Sequence, residues 1–174
     1  MMTIPDMLEK VKFEGVYEKT MFAKNLFYYD KKKKERMWLV IAAHEATFDM
    51  KNLQKEFKVG SGNLRAASLE TMEKALGATK GAVNLFSIIN DTAKAVTLVM
   101  DQKLLGDYEY VGFHPMVNTA TTAIDASAIK KVIELSGHEP MILDFTTLGG
   151  GEAVKPAGAQ GADKPKQEPK QKPK

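Results

Sequence analysis

Residues 24–43, KNLFYYDKKKKERMWLVIAA, decide how this chain is read. Residues 26–29 form a short apolar and aromatic run, 30–35 carry only charged side chains, and 37–42 (MWLVIA) are apolar again. Two β-like runs around a polar turn make a hairpin over 26–42. The four lysines at 31–34 then sit in the turn, either as a solvated loop or as a local basic patch.

Working outward, strand and helix signals alternate irregularly. Residues 49–57 have helical spacing, with Met50, Leu53 and Phe57 on one face, and a glycine-containing turn follows at 59–63. Ser68 is placed to cap a helix carrying Leu69, Met72 and Leu76, which Gly77 stops. Residues 83–89 and 95–100 (AVTLVM) are β-like, with a turn at Asn90-Asp91 between them. Residues 108–114 also have strand character. Asp125 or Ser127 opens a final helix containing Ile129, Val132 and Ile133, ending at Gly137, and residues 141–145 form a last short strand. The expected fold class is α+β, a mixed, mostly antiparallel, barrel-like sheet flanked by helices.

The bulk properties bound the function. The chain has 174 residues, enough for one domain and a tail, and 44% of them are hydrophobic, enough for a core. Residues 149–174 contain no Ile, Leu, Met or aromatic side chain and are rich in Pro, Gly, Lys and Gln. They read as a disordered tail or linker, with the domain at 1–148. Six lysines against three acids give the tail the whole +3 net charge, so the body is formally neutral and any nucleic-acid contact must use a local patch. No apolar run reaches the roughly 20 residues of a membrane span, and the N-terminus lacks a secretory pattern. A cytoplasmic protein with no membrane partner is expected. The absence of cysteine excludes disulfides, thiolate zinc sites and a cysteine nucleophile.

Generic catalytic motifs are missing: there is no P-loop, GxGxxG, HExxH or GxSxG, and His44, His114 and His138 are too scattered for a zinc signature. Three local features stand out. Lys24-Asn25 enters the first strand, where a lysine can hold a phosphate or polarise a carbonyl, or simply be a surface residue. Gly81, in LGATKGAVNLF, can let backbone N–H groups approach a ligand, or simply make a turn. His114, before Pro115, can exchange hydrogen bonds near neutral pH, or be structural. Residue chemistry alone stops at an α+β domain that binds RNA or another ligand.

Together these segments resemble the prolyl-tRNA editing (YbaK-like) family. The stretches KNLFYYDKKKKERMWLVIAA, LGATKGAVNLFSIIND to VTLVMDQKLL, and GFHPMVNTATTAIDASAIKKVIELSGHEPMILDF carry the resemblance over roughly residues 22–146. It implies a compact α+β domain that hydrolyses the ester between a wrong amino acid and the 3′-terminal adenosine of a tRNA, most often alanine on tRNA(Pro), with no metal or other cofactor. The implied partners are the aminoacylated tRNA end and an aminoacyl-tRNA synthetase or synthetase complex. The implied catalytic residues are Lys24, Gly81 and His114, with Asn25, Ala82, Asn118 and Thr121 binding substrate. Two departures bear on selectivity. Leu85 stands where the family's Gly-x-x-x-Pro loop has proline, and only a short segment precedes Phe22.

Overall fold

The computed structural model describes residues 14–79, 81–117 and 119–149; apart from Gly149, the expected tail lies outside them. Seven strands form one sheet: β1 (Thr20–Asp30), β2 (Met37–Ala43), β3 (Leu64–Ala66), β4 (Val96–Asp101), β5 (Tyr110–Phe113), β6 (Thr122–Ile124) and β7 (Met141–Leu143). Three α-helices accompany it: α1 (Met50–Glu56), α2 (Leu69–Leu76) and α3 (Ala126–Ser136). Short 3-10 helices occupy Gly15–Lys19, Leu85–Asn90 and Gln102–Leu105.

The strand order is β6-β5-β1-β2-β4-β7, with β3 also paired to β1. The mixed α+β architecture is the expected one, and two details differ. The β1–β2, β1–β3 and β5–β6 pairs are antiparallel, but β1–β5, β2–β4 and β4–β7 are parallel, so neither orientation predominates. The path also ends at β6 and β7 without pairing them, leaving the sheet open rather than barrel-like. The helical segments explain the parallel pairs, because they supply the long crossovers that parallel neighbours need.

β2 lies between β1 and β4, and every residue from Trp38 to Ala43 is buried. Strand alternation sends Leu39, Ile41 and Ala43 to one face with Ala23, Phe27, Leu98 and Met100. Leu76, Leu85, Ile88 and Ile129 cover that face. Trp38, Val40 and Ala42 go to the other face with Leu26, Tyr28 and Val99, under Leu53, Phe57, Phe145 and Leu148. Each fully buried large aliphatic side chain stabilises the fold by about 1.5–3 kcal/mol, so β2, buried on both faces, anchors the core.

The helix boundaries follow the capping chemistry. Asp49, Ser68 and Asp125 accept hydrogen bonds from the backbone of Lys51, Thr71 and Ala128. Gly77 and Gly137 close α2 and α3 in the left-handed conformation. The expected strand at 83–89 is instead the 3-10 helix Leu85–Asn90. Asn84 and Ser87 close a reciprocal capping box at its start, and the three-residue repeat buries Leu85 and Ile88 together.

A buried polar pair fastens α3 to the strand below it. His138 Nε2 lies 3.1 Å from Asp91 Oδ2, and Nδ1 lies 3.1 Å from the Ser136 carbonyl. Asp91 also accepts from the backbone N–H groups of Ala95 (3.1 Å) and Val96 (2.7 Å), at the start of β4. Removing His138 takes one hydrogen bond from the buried Asp91 and leaves its two backbone donors in place. His138→Ala is expected to cost about 1.5–3 kcal/mol in urea unfolding; a cost below about 0.5 kcal/mol would show that the pair does not hold α3 to the sheet.

Candidate functional site

The hydrogen-bonding directions of β1 locate an opening in the sheet. The Phe22 carbonyl accepts from His44 N–H at 2.9 Å, and Asp30 N–H donates to the Arg36 carbonyl at 3.0 Å. Even-numbered residues of β1 therefore turn their peptide groups to β2, and odd-numbered ones turn to the opposite edge. On that edge β5 pairs residues 20–22 and β3 pairs residues 28–30, with Ala67 N–H donating to the Phe27 carbonyl at 2.8 Å. Asn25 thus faces a break in the ladder, flanked by the carboxyl ends of two strands that approach it from opposite ends. Gly112 lets β5 approach β1 this closely, because a Cβ there would stand 2.8 Å from the Phe22 ring.

Lys24 and Asn25 point to opposite faces of the strand. The half-buried Lys24 ammonium donates to the carbonyls of Ala46 and His44 and lies 5.4 Å from the centre of the Phe48 ring. Burial pushes its pKa below that of a free lysine, and the charge of Asp101 opposes that shift. Asp101 is itself buried and accepts from the N–H groups of Ala43 and Lys103, each at 3.1 Å. Burial raises its pKa against the effect of these two bonds. An ammonium has three donors. Two point at carbonyls here, and the third has no hydrogen-bond partner among the described residues. A cavity of about 220 Å³ adjoins this segment, lined by Ala43, Ala46, Thr47, Asp101 and Phe145 among others.

Asn25 shares its face with Ala23 and Phe27. Its Oδ1 is the only buried side-chain nitrogen or oxygen among the described residues that lacks a hydrogen-bond partner. An unsatisfied buried acceptor costs about 1–3 kcal/mol, so it marks a place where a donor is missing.

His114 and Thr121 come together beyond the end of β5. His114 Nδ1 lies 2.9 Å from the Ala120 carbonyl, which can only accept, so Nδ1 carries the proton. Thr121 Oγ1 stands 3.4 Å from the same nitrogen. That tautomer leaves Nε2 as an acceptor, without a partner among the described residues. The intervening chain is tightly wound. Met116 N–H donates to the His114 carbonyl at 2.8 Å across Pro115, and Met116 adopts φ +61°. A left-handed, non-glycine residue of this kind costs about 1–2 kcal/mol and persists only where its surroundings impose it. Asn118 lies outside the described residues.

Gly81 and Ala82 form the third segment. Gly81 has φ +82°, and Ala82 N–H donates to the Thr79 carbonyl at 3.0 Å. The Ala82 N–H is therefore committed, whereas that of Gly81 has no partner among the described residues. Ala82 is buried, and its carbonyl accepts from Asn84 Nδ2 at 2.7 Å. Asn84 Nδ2 also donates to the His114 carbonyl, joining the Gly81 turn to the His114 segment. Lys24 is held separately, by His44, Ala46 and Phe48.

Sequence reasoning missed Asn84 and Asp101. An Asn-x-x-Ser spacing at 84–87 was the available signal for the first; for the second it was a lone acid closing an apolar strand. Among the described residues no three His, Asp or Glu side chains gather as metal ligands. No helix among them is long and apolar enough to cross a membrane.

The chain resembles known proteins in sequence and in fold. The chain is 36% identical over 144 residues to the mouse prolyl-tRNA synthetase associated domain-containing protein 1, covering 82% of each. It is 36% identical over 136 residues to the prolyl-tRNA editing protein ProX of Acetoanaerobium sticklandii, covering 78% of each. A solved structure described as hypothetical protein APE2540 shares the fold, with a TM-score of 0.53 at 15% identity over 72% of this chain and 74% of that one. Residues 1–132 match the aminoacyl-tRNA editing domain, and the chain belongs to that family.

Proposed function

We propose that the chain hydrolyses the ester joining a wrongly attached amino acid to the 3′-terminal adenosine of a tRNA. The carrying observation is the break in the β1 ladder beside Lys24 and Asn25, with His114 just past the end of β5 and Gly81 on the turn after α2. Similarity to a protein named for prolyl-tRNA editing favours tRNA(Pro), and alanine is the first amino acid to test. Relatives named for prolyl-tRNA synthetase association favour a synthetase as partner.

The ester is already activated, so a positioned water suffices as nucleophile. His114 Nε2 accepts a hydrogen bond from that water. Water oxygen attacks the ester carbonyl as its proton passes to His114 Nε2, and charge develops on the carbonyl oxygen. The Gly81 N–H and the spare donor of Lys24 are the groups available to stabilise it or to hold the terminal phosphate. Collapse breaks the bond to the ribose oxygen, which takes the proton, releasing the amino acid and the free tRNA end. Asn25 Oδ1 accepts from a substrate N–H or O–H at the break.

Deacylation of Ala-, Ser- and Cys-charged tRNA(Pro) should be accelerated, and Lys24→Ala should lower kcat/KM by about 100-fold or more. Full activity in that variant would sink the mechanism. Binding of every charged tRNA without turnover would instead make the chain a non-catalytic tRNA-binding module.

The pH profile tests the state of Lys24. Asp101 favours its ammonium form, so Asp101→Asn should lower the Lys24 pKa further. The alkaline limb of kcat/KM is then expected to move to lower pH. An unmoved limb would mean that the Lys24 charge is not required.

The β1–β2 turn offers a surface for the RNA backbone. Lys31, Lys32, Lys33 and Lys34 are exposed, as are Lys58 and Arg65. Bonds from Lys31 N–H to the Asn63 carbonyl (2.8 Å) and from Arg36 to the carbonyls of Phe57 and Lys58 gather these segments at one end of the sheet. Asp30 is paired with Arg36. Replacing the four turn lysines with Gln should raise KM and leave kcat unchanged. It should also flatten the salt dependence of tRNA binding by about 0.7–0.9 for each phosphate no longer neutralised. An unchanged slope would place the RNA elsewhere.

A further inference from the structure

We propose that Asn84 is a positioning residue that clamps the Gly81 turn to the His114 segment, so that the two segments approach the substrate as one unit. The inference rests on the functional reading above and extends it to a residue that does not touch substrate.

Every polar atom of Asn84 is engaged inside the protein. The residue is fully buried. Nδ2 donates to the carbonyls of Ala82 and His114, using both of its hydrogens. Oδ1 accepts from Phe86 N–H at 2.7 Å. The backbone N–H lies 3.3 Å from Ser87 Oγ, which in turn donates to the Asn84 carbonyl at 2.6 Å. Nothing is left over for a ligand, which distinguishes Asn84 from Asn25. One amide thus fixes two carbonyls from separate segments, one beside Gly81 and the other on His114 itself. A ring contact supports the same junction, with Phe86 and Phe113 edge to face at 5.7 Å.

Serine separates this clamp from simple helix capping. A serine at position 84 can still cap the 3-10 helix, because its hydroxyl accepts from the following backbone. Its single short donor cannot span the carbonyls of both Ala82 and His114. A purely capping role therefore predicts that Asn84→Ser behaves like the unmodified chain. Aspartate is the second variant: it keeps the acceptor for Phe86 N–H but turns an oxygen without hydrogens onto two carbonyls.

The experiment combines deacylation kinetics on mischarged tRNA with hydrogen exchange of segments 79–86 and 114–121, in the full chain and in both variants. Asn84→Ser is expected to lower kcat about 10- to 100-fold, change KM less than about two-fold, and speed exchange in both segments together. Asn84→Asp is expected to lose at least as much. Unmodified kcat in Asn84→Ser, or faster exchange confined to 84–87 with 114–121 still protected, would overturn the clamp. If the full chain deacylates nothing, the functional reading fails, but the exchange arm still decides whether Asn84 couples the two segments.

Discussion

Seven consecutive residue pairs, Ala23↔Ala43 to Tyr29↔Met37, lock β1 against β2, and this register decides on which side of the sheet each later group falls. β2 is saturated: it is buried on both faces and paired on both edges. β1 is not. Its other edge is shared by β5 and β3, which approach from opposite ends and leave its middle unpaired. A sheet cannot leave backbone groups unmatched in its interior without water or a ligand to meet them. The break therefore cannot be filled with apolar side chains as the rest of the fold is. It is the one stretch of β1 where chemistry rather than packing can occupy the space, and the unpartnered Oδ1 of Asn25 lies beside it.

The same register places Lys24 and Asn25 on different faces, although they are neighbours in the chain. Lys24 is held between two opposing effects. Burial disfavours its charge, and Asp101, at the end of β4, favours it. Asp101 can do this because two backbone N–H groups hold its carboxylate in place as the chain turns from β4 into the 3-10 helix Gln102–Leu105. A charge fixed by the backbone costs no reorganisation when a substrate arrives, which is the condition under which electrostatic stabilisation is effective. The formally neutral body does not contradict an anionic substrate, since the relevant charges are local: one ammonium at the opening and a group of exposed lysines at the hairpin turn.

Much of this was legible in the sequence, for identifiable reasons. The caps at Ser68 and Asp125 and the stops at Gly77 and Gly137 are local devices whose chemistry lies within four residues, and the hairpin closes across one short polar turn, so they survive folding unchanged. What could not be read depended on distant partners. β1 begins at Thr20 rather than 26 because β5 extends it, and no local pattern announces that pairing. β3 and β6 have three residues each, too few to show a period. The run at 83–89 has strand composition, yet two polar side chains at its start select a 3-10 helix. The candidate site could be read as a set of residue types, but not as an arrangement: nothing local indicated that Ala82 is buried, or that Thr121 Oγ1 lies beside His114 Nδ1.

The loop from Gly81 to Leu85 shows how one mechanical requirement can be met by different chemistry. A proline at position 85 would stiffen the turn through its own ring, by fixing φ and restricting the residue before it to extended backbone. Asn84 is already extended, with φ −162° and ψ −174°, and Leu85 begins the 3-10 helix, so the backbone has the shape that a proline would impose. Here the side chain of Asn84 and the hydroxyl of Ser87 hold that shape, and Leu85 contributes a fully buried side chain to the core instead. The two solutions are not equivalent. A proline constrains only its own turn, whereas the amide reaches across to the His114 carbonyl and makes the position of one segment depend on the other. Leucine at position 85 therefore leaves the loop no less ordered; it transfers the ordering to a hydrogen-bonded junction between two segments of the candidate site.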